Sequence, residues 1–319
     1  MRETLTEAGS NSAELQSVID SYDGNIKDVA EYTVGAIWGH RGRTGPGIDS
    51  LENLYRELPG AYVWLFDPSQ LIRGKRFAAM PLSESKDSEV LTADYLKNNI
   101  DDACWLWENR LWNQDLPREI FCEMILPYRI GDEPLTEWRS SYREWLREIE
   151  DTVARCASSV IAARIIASHI GSAHYNDQLS TPHRSALSLL KTPIGYCRED
   201  CDRTVYAMRA MGIPVSIDLI LVSPENGASH SWTVVWDNID RMTRMFDNGA
   251  YLPTRDSIHY DHRRKGKIYR QTFAPDFDRI RRFRSAKNPP AALLNPWLKD
   301  VTAEYFGHNL SLIHISEPT

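Results

Sequence analysis

Two cysteines a helical turn apart, Cys197 and Cys201, lie in the stretch GYCREDCDRTVYAMRAMGIP, Gly195 to Pro214. Such a pair can hold a metal, form a disulfide, or divide into a nucleophile and a packed neighbour. A structural zinc site takes four Cys or His ligands, usually as paired short-spaced motifs. No second cysteine pair exists here, and the further candidate ligands are His230 and His259. A disulfide across one helical turn does not read as a framework. The nucleophile reading has a physical basis. Cys197 falls where a helix begins, so its thiolate would meet unpaired backbone N–H groups and the positive end of the helix dipole. Gly195, two residues earlier, permits a close approach. Cys201 sits deeper, where that field has weakened, and reads as a packing residue.

A thiolate nucleophile needs a base and a group that orients the base. His230 opens an apolar, alternating segment, HSWTVVWDN, and Trp232 shares its strand face. Asp247 follows the next such segment, RMTRMF. If the two strands are neighbours, Asp247 comes beside His230 and completes a Cys/His/Asp set. Asp237 is the competing carboxylate; in WDNIDRM it reads as a solvent-facing turn residue. Each residue also has a plain structural reading: a core thiol, a loop histidine, an aspartate before the Asn248-Gly249 turn. Their joint order is what favours chemistry.

The elements that must position this set change character along the chain. Up to about residue 145 the pattern is helical. Asn11 with Glu14 suits a helix cap before Leu15, Val18 and Ile19. Helices are expected over Lys27–Trp38, from Asp49 or Ser50 through Leu54, and over Leu91–Trp107. ILPYRIGDEPLTEW reads as a loop. One long helix is expected from about Trp138 to Ile170, with a charged first part and an alanine-rich second part. A helix from Cys197 to Met211 ends at Gly212 and Pro214. VSIDLILVSP, HSWTVVWDN, RMTRMFDNG and KIYRQTF then read as strands. The expected fold class is α+β: a helical N-terminal region over 1–145, a helix-on-antiparallel-sheet core over 146–309, and a tail over 310–319.

The chain has 319 residues and a net charge of −7, which argues against a nucleic-acid surface. The basic stretches His262–Lys267 and Arg281–Arg284 read as solvated faces, without a base-stacking pattern. The five cysteines are an odd number and do not form a disulfide framework. Cys104, Cys122 and Cys156 read as buried thiols. Ten Trp and 14 Tyr would suit a groove for peptides or sugars as well as a core. The N-terminus carries no hydrophobic signal core.

The segment Thr192–Gly249 resembles the core of the transglutaminase-like superfamily, which has a papain-like Cys/His/Asp arrangement. The family's G-x-C motif matches Gly195-Tyr196-Cys197, and its R-x-x-G-I-P matches Arg209 to Pro214. Its H-A-W matches His230-Ser231-Trp232, with Ser for Ala, and its Asp falls on Asp247. The resemblance implies that Cys197 is the nucleophile, His230 the base and Asp247 the orienting residue. Asn11–Tyr22 and PYRIGDEPLTEWR further resemble transglutaminase-core proteins of gut Bacteroidetes, which implies an exported or lipid-anchored protein. LSLIHISEPT, Leu310 to Thr319, resembles a translated sequencing adapter, so a metagenomic gene cut short after about Asn309 is expected. In those relatives a segment like Asp300–Tyr305 leads into a β-sandwich.

The implied activity is cysteine-dependent acyl transfer on amide bonds, most simply hydrolysis of a peptide, protein or peptidoglycan-like substrate. Tyr196 and Trp232 would line the cleft. No metal or organic cofactor is required. The alternatives are a cross-linking transglutaminase and an idle scaffold that holds a peptide or glycan.

Overall fold

A computed structural model describes residues 1–57, 68–176, 182–224, 227–246, 266–284, 287–289 and 291–306. Asp247, His259, most of the basic stretch from His262 and the 310–319 tail lie outside the described residues. The fold is mixed α+β with a largely helical N-terminal region.

The N-terminal helices Arg2–Ala8, Ser12–Asp20, Gly24–Ala36 and Ala93–Asn109 bury one apolar core, including Leu15, Val18, Val34, Leu96 and Ile100. Thr92 caps the last of these, its hydroxyl accepting from the Tyr95 N–H at 3.2 Å. Asn11 and Glu14 do not form the local capping box expected of them. The Asn11 amide donates to the carbonyls of Ser88 and Leu91, and Glu14 accepts from the Ala93 N–H. They tie the first helices to the Ala93–Asn109 helix instead of capping their own. A further helix starts at Pro46, not at Asp49 or Ser50, and runs to Glu57; proline is well suited to a first helical turn. Strand β1 (Arg41–Thr44) pairs antiparallel with β2 (Ser83–Lys86).

The single helix expected over Trp138–Ile170 is three: Arg139–Trp145, Arg147–Ala154 and Ser159–Ile170. Leu146 leaves helical geometry with ψ 5° and is fully buried. Between Ala154 and Ser159 the chain turns so that polar groups meet a distant strand. The Ser159 hydroxyl donates to the Trp236 carbonyl, and the Asn238 amide donates to the Ala157 carbonyl. Ser158 then caps the third helix. Tertiary hydrogen bonds outweigh helix propensity over these few residues.

Short β3 (His174–Tyr175) and β4 (Ile194–Gly195) run parallel and lead into the helix Cys197–Ala210. The main sheet has five antiparallel strands in the order β7 (Met242–Phe246), β6 (His230–Asp237), β5 (Val215–Ile220), β8 (Tyr269–Gln271), β9 (Leu298–Asp300). β5 and β6 pair from Val215↔Val235 to Ile220↔His230. The Cys197–Ala210 helix packs on β5 and β6, where Cys201, Val205 and Met208 meet Val215, Ile217, Val235 and Phe246. Met124, Trp232, Val234, Ile268 and Val301 cover the other face. Apolar residues at successive β6 positions follow from burial on both sides of the sheet. Asp300–Tyr305, expected as a lead-in to another module, packs on this sheet: Asp300 pairs with Tyr269, and the Tyr305 hydroxyl donates to Asp218 at 2.7 Å.

The R-x-x-G-I-P segment fixes the far end of the helix. Gly212 has φ +80°, which permits the left-handed helix exit. Its carbonyl accepts from Trp112 Nε1 and Asn113 Nδ2, each at 2.9 Å. The buried Arg209 guanidinium donates to the carbonyls of Met124, Arg129 and Val215 at 3.1, 3.4 and 3.3 Å. Arg209→Ala would strand these buried acceptors. It is expected to lower unfolding stability by roughly 3 kcal/mol or more in urea titration, and a loss below about 1 kcal/mol would refute this role.

Candidate active site

Cys197 is the first residue of its helix and is half-buried. Two features shape the helix mouth. Glu199 accepts from the Tyr196 N–H at 3.1 Å, which closes a capping box. A Cβ on Gly195 would lie 2.4 Å from the Glu199 Cβ and 2.8 Å from its Oε2. The position therefore demands glycine for close approach, since Glu199 is itself locked by Arg198.

The thiol meets β6 at its first two residues. Burial raises the Cys197 pKa. Hydrogen bonds with the His230 imidazole, the Ser231 hydroxyl and the Ser231 backbone outweigh that, and the thiol falls below its ordinary value. Cys201 behaves oppositely. It is buried, and burial pushes its thiol well above the ordinary range despite contacts with Thr233 and Ser231. Its Sγ lies 3.9 Å from the Ser231 hydroxyl. Position along β6 marks the split: Cys197 meets His230 and Ser231 at the open end of the strand, while Cys201 meets Ser231 and Thr233 farther in; the His230 and Trp232 ring centroids are 5.9 Å apart.

The sequence-expected residues divide as follows. Cys197 and His230 are brought together. Asp247 lies outside the described residues; β7 is described to Phe246, which pairs with Thr233. Asp237 is not the exposed turn residue expected of it. It is fully buried, accepts from the N–H groups of Ile239 and Asp240, and pairs with Arg244 at 3.3 Å. A strand's length, roughly 23 Å, separates it from His230. Tyr196 lines the cleft beside Cys197. Trp232 does not: it is 6% exposed, packs under the sheet, and donates from Nε1 to the Tyr305 hydroxyl at 2.8 Å.

The cleft has a volume of about 680 Å³. Cys197, His230 and Ser231 stand on one wall, and Ile217, Leu219 and Gln271 supply part of the lining. Sequence reading missed a second imidazole in it. His183 Nδ1 lies 2.8 Å from Asp202 Oδ2, and Asp202 sits on the same helix as Cys197. Nothing local in STPHRSAL marks His183 as a cleft residue. Asp202 also escaped notice, because CREDCDR reads as a solvated charged face. Among the described residues no group of three or more His, Cys, Asp or Glu side chains is placed to hold a metal ion, and no helix is long and apolar enough to cross a membrane.

No protein-family profile matches the chain, and no curated protein matches it. Among solved structures, the crystal structure of a candidate cysteine protease from Cytophaga hutchinsonii is similar at 16% identity and a TM-score of 0.33. The match covers 44% of this chain and 45% of that one, so the chain spans under half of that protein's length. A likeness of that degree carries no argument about mechanism.

Two outcomes follow from the geometry. In pH-resolved alkylation followed by mass spectrometry, Cys197 should react at a pH below that of an ordinary thiol, and His230→Gln should move its profile upward. Cys201 should stay unreacted until the protein unfolds. An unmoved Cys197 profile in His230→Gln would contradict the thiol–imidazole contact. Gly195→Ala should cost roughly 1–3 kcal/mol of stability by overpacking against Glu199, as read by chemical denaturation.

Proposed function

We propose that this protein is a cysteine-dependent acyl-transfer enzyme acting on amide bonds, with hydrolysis as its ordinary outcome. One observation carries the reading. Of two thiols a helical turn apart, Cys197 is held in an easily ionised state at an open cleft, and Cys201 is sealed against the sheet. That is the asymmetry a nucleophile and its packing neighbour require.

In the proposed reaction the Cys197 thiolate attacks the amide carbonyl carbon, forming a C–S bond and a tetrahedral oxyanion. Backbone N–H groups at the helix mouth would stabilise that oxyanion. As the C–N bond breaks, His230 gives its proton to the departing amine. Water, deprotonated by His230, then attacks the thioester and releases a carboxylic acid and the thiolate. Asp247 would hold the His230 tautomer. Ser231, hydrogen-bonded to the thiol, would help keep it ionised in the resting enzyme. The substrate would be a peptide, a protein or a peptidoglycan-derived fragment.

The test is turnover of a peptide library in ¹⁸O-labelled water. New carboxylates should carry one heavy oxygen, and Cys197→Ser should lower the rate on the order of 10³-fold or more. Amide products formed with an added primary amine, and no labelled acid, would replace hydrolysis by cross-linking. No turnover, together with Cys197 alkylation no faster than that of Cys201, would leave a binding scaffold.

A further inference from the structure

The proposed chemistry uses Cys197, His230 and Asp247. It leaves His183 without a role, although this imidazole is built into the same cleft. Its position is fixed from four directions. The ring bonds Asp202 at 2.8 Å. Its backbone N–H donates to Asp132 Oδ1 at 3.1 Å. The carbonyl of the preceding Pro182 accepts from Arg198. The ring lies against the Gly131 backbone so closely that a Cβ there would be 2.6–2.7 Å from three ring atoms. The His183 side chain is 21% exposed and that of Asp202 2%; both line the cleft, with Asp132 beside them, and the ring is the more open of the pair.

This arrangement has a chemical consequence. Nδ1 is turned to Asp202, and among the described residues Nε2, which packs over the Gly131 backbone with Cδ2 and Cε1, has no hydrogen-bond partner. When the ring is doubly protonated, Nδ1 donates to Asp202 and Nε2 carries the second hydrogen, so that it presents a positive donor. The groups facing it are Asp202 on the helix, Asp132 and Glu133 on the 127–138 loop, and Arg198 in the first helical turn. Burial works against the charged ring, but Asp202 outweighs it and holds His183 above its ordinary value, with Glu133 assisting and Arg198 opposing. Arg198 lines the cleft beside it.

Resting on the cysteine-enzyme reading, we propose that His183, backed by Asp202 and flanked by Arg198, is an anion-recognising group of the cleft, so that the preferred substrates carry a carboxylate near the bond attacked. An acidic side chain or a free terminal carboxylate would serve equally. In either case the substrate oxygen accepts the Nε2 hydrogen, and no covalent bond changes at His183. The group selects and positions substrate; it does not exchange protons with the scissile bond.

Two small alkylating probes of nearly equal shape test this without knowledge of the substrate: anionic iodoacetate and neutral iodoacetamide. The readout is the ratio of their rates at Cys197, by mass spectrometry of the full chain. The ratio cancels changes in thiolate fraction, which act on both probes. His183→Gln should lower it about five-fold near pH 6 at low salt. In the unaltered protein the ratio should fall as pH rises through the His183 transition, because the donor is charged below it and neutral above. Asp202→Asn should move that fall to lower pH, which identifies His183 as the titrating group even if His183→Gln does not fold. An unchanged ratio in His183→Gln, or an unshifted pH profile in Asp202→Asn, would overturn the inference while leaving the enzyme reading intact. Slow reaction of Cys197 with both probes would instead count against the enzyme reading.

Discussion

The structure depends on one constraint: a helix rich in charge is buried almost end to end. From Cys201 to Ala210 every residue is buried, and Glu199 is too. Burial of an ionic side chain is tolerable only when each charge and each donor finds a partner. Here most of the partners come from distant parts of the chain, while Asp202 Oδ1, Arg203 Nε and Thr204 Oγ1 are buried with no hydrogen-bond partner among the described residues. Asp200 accepts from the Ala173 N–H, Asp202 bonds His183, and Arg203 donates to the carbonyls of Ile170 and Gly171. The Tyr206 hydroxyl donates to Glu133, and Arg209 spans three carbonyls. The helix is thus a hub that locks the N-terminal helices, the 127–138 loop and the sheet into one frame.

That frame gives the site its precision. A helix clamped along its length cannot rotate, so its first residue is held in one direction, toward the mouth of β6. The thiol ionises there because specific neighbours favour the thiolate: His230 and Ser231 outweigh the cost of burial. One turn deeper the same element holds Cys201 among apolar groups, where burial wins. Two identical functional groups on one helix therefore differ in reactivity through environment alone. Ser231 touches both sulfurs and marks the boundary between the two environments.

The cleft combines this thiol with a second, independently buttressed imidazole. Glu133 shows how far that support reaches: it accepts from the N–H groups of Ile130 and Gly131 and from Tyr206, beneath the loop on which the His183 ring rests. Arg129 and Asp87, an ion pair at 2.8 Å with both side chains inaccessible to solvent, anchor the same loop from the other side. Such buried networks cost desolvation but hold their members in one geometry. A binding group gains most from that rigidity, because less ordering remains to be done when a ligand arrives.

Local chemistry carried much of this protein in its sequence. The α+β class, the strands at β5, β6, β7 and β8, the helix opening at Cys197 and its glycine exit were legible because hydrophobic period and cap residues act over a few positions. The order Cys197 then His230 was legible for the same reason. What depended on contacts between remote residues was not. Asn11 and Glu14 look like a cap but bond another helix. Asp237 looks exposed but is buried, because Arg244 and two turn N–H groups satisfy it. Trp232 looks like a cleft wall but faces the opposite core. The Trp138–Ile170 helix breaks where serines reach the sheet. His183 and Asp202 meet only through tertiary folding, and a charged run such as CREDCDR cannot itself reveal whether its partners will be water or protein. Sequence determined which segments could be helix or strand; the tertiary structure decided which polar groups left water, since each needed a partner that lies elsewhere along the chain.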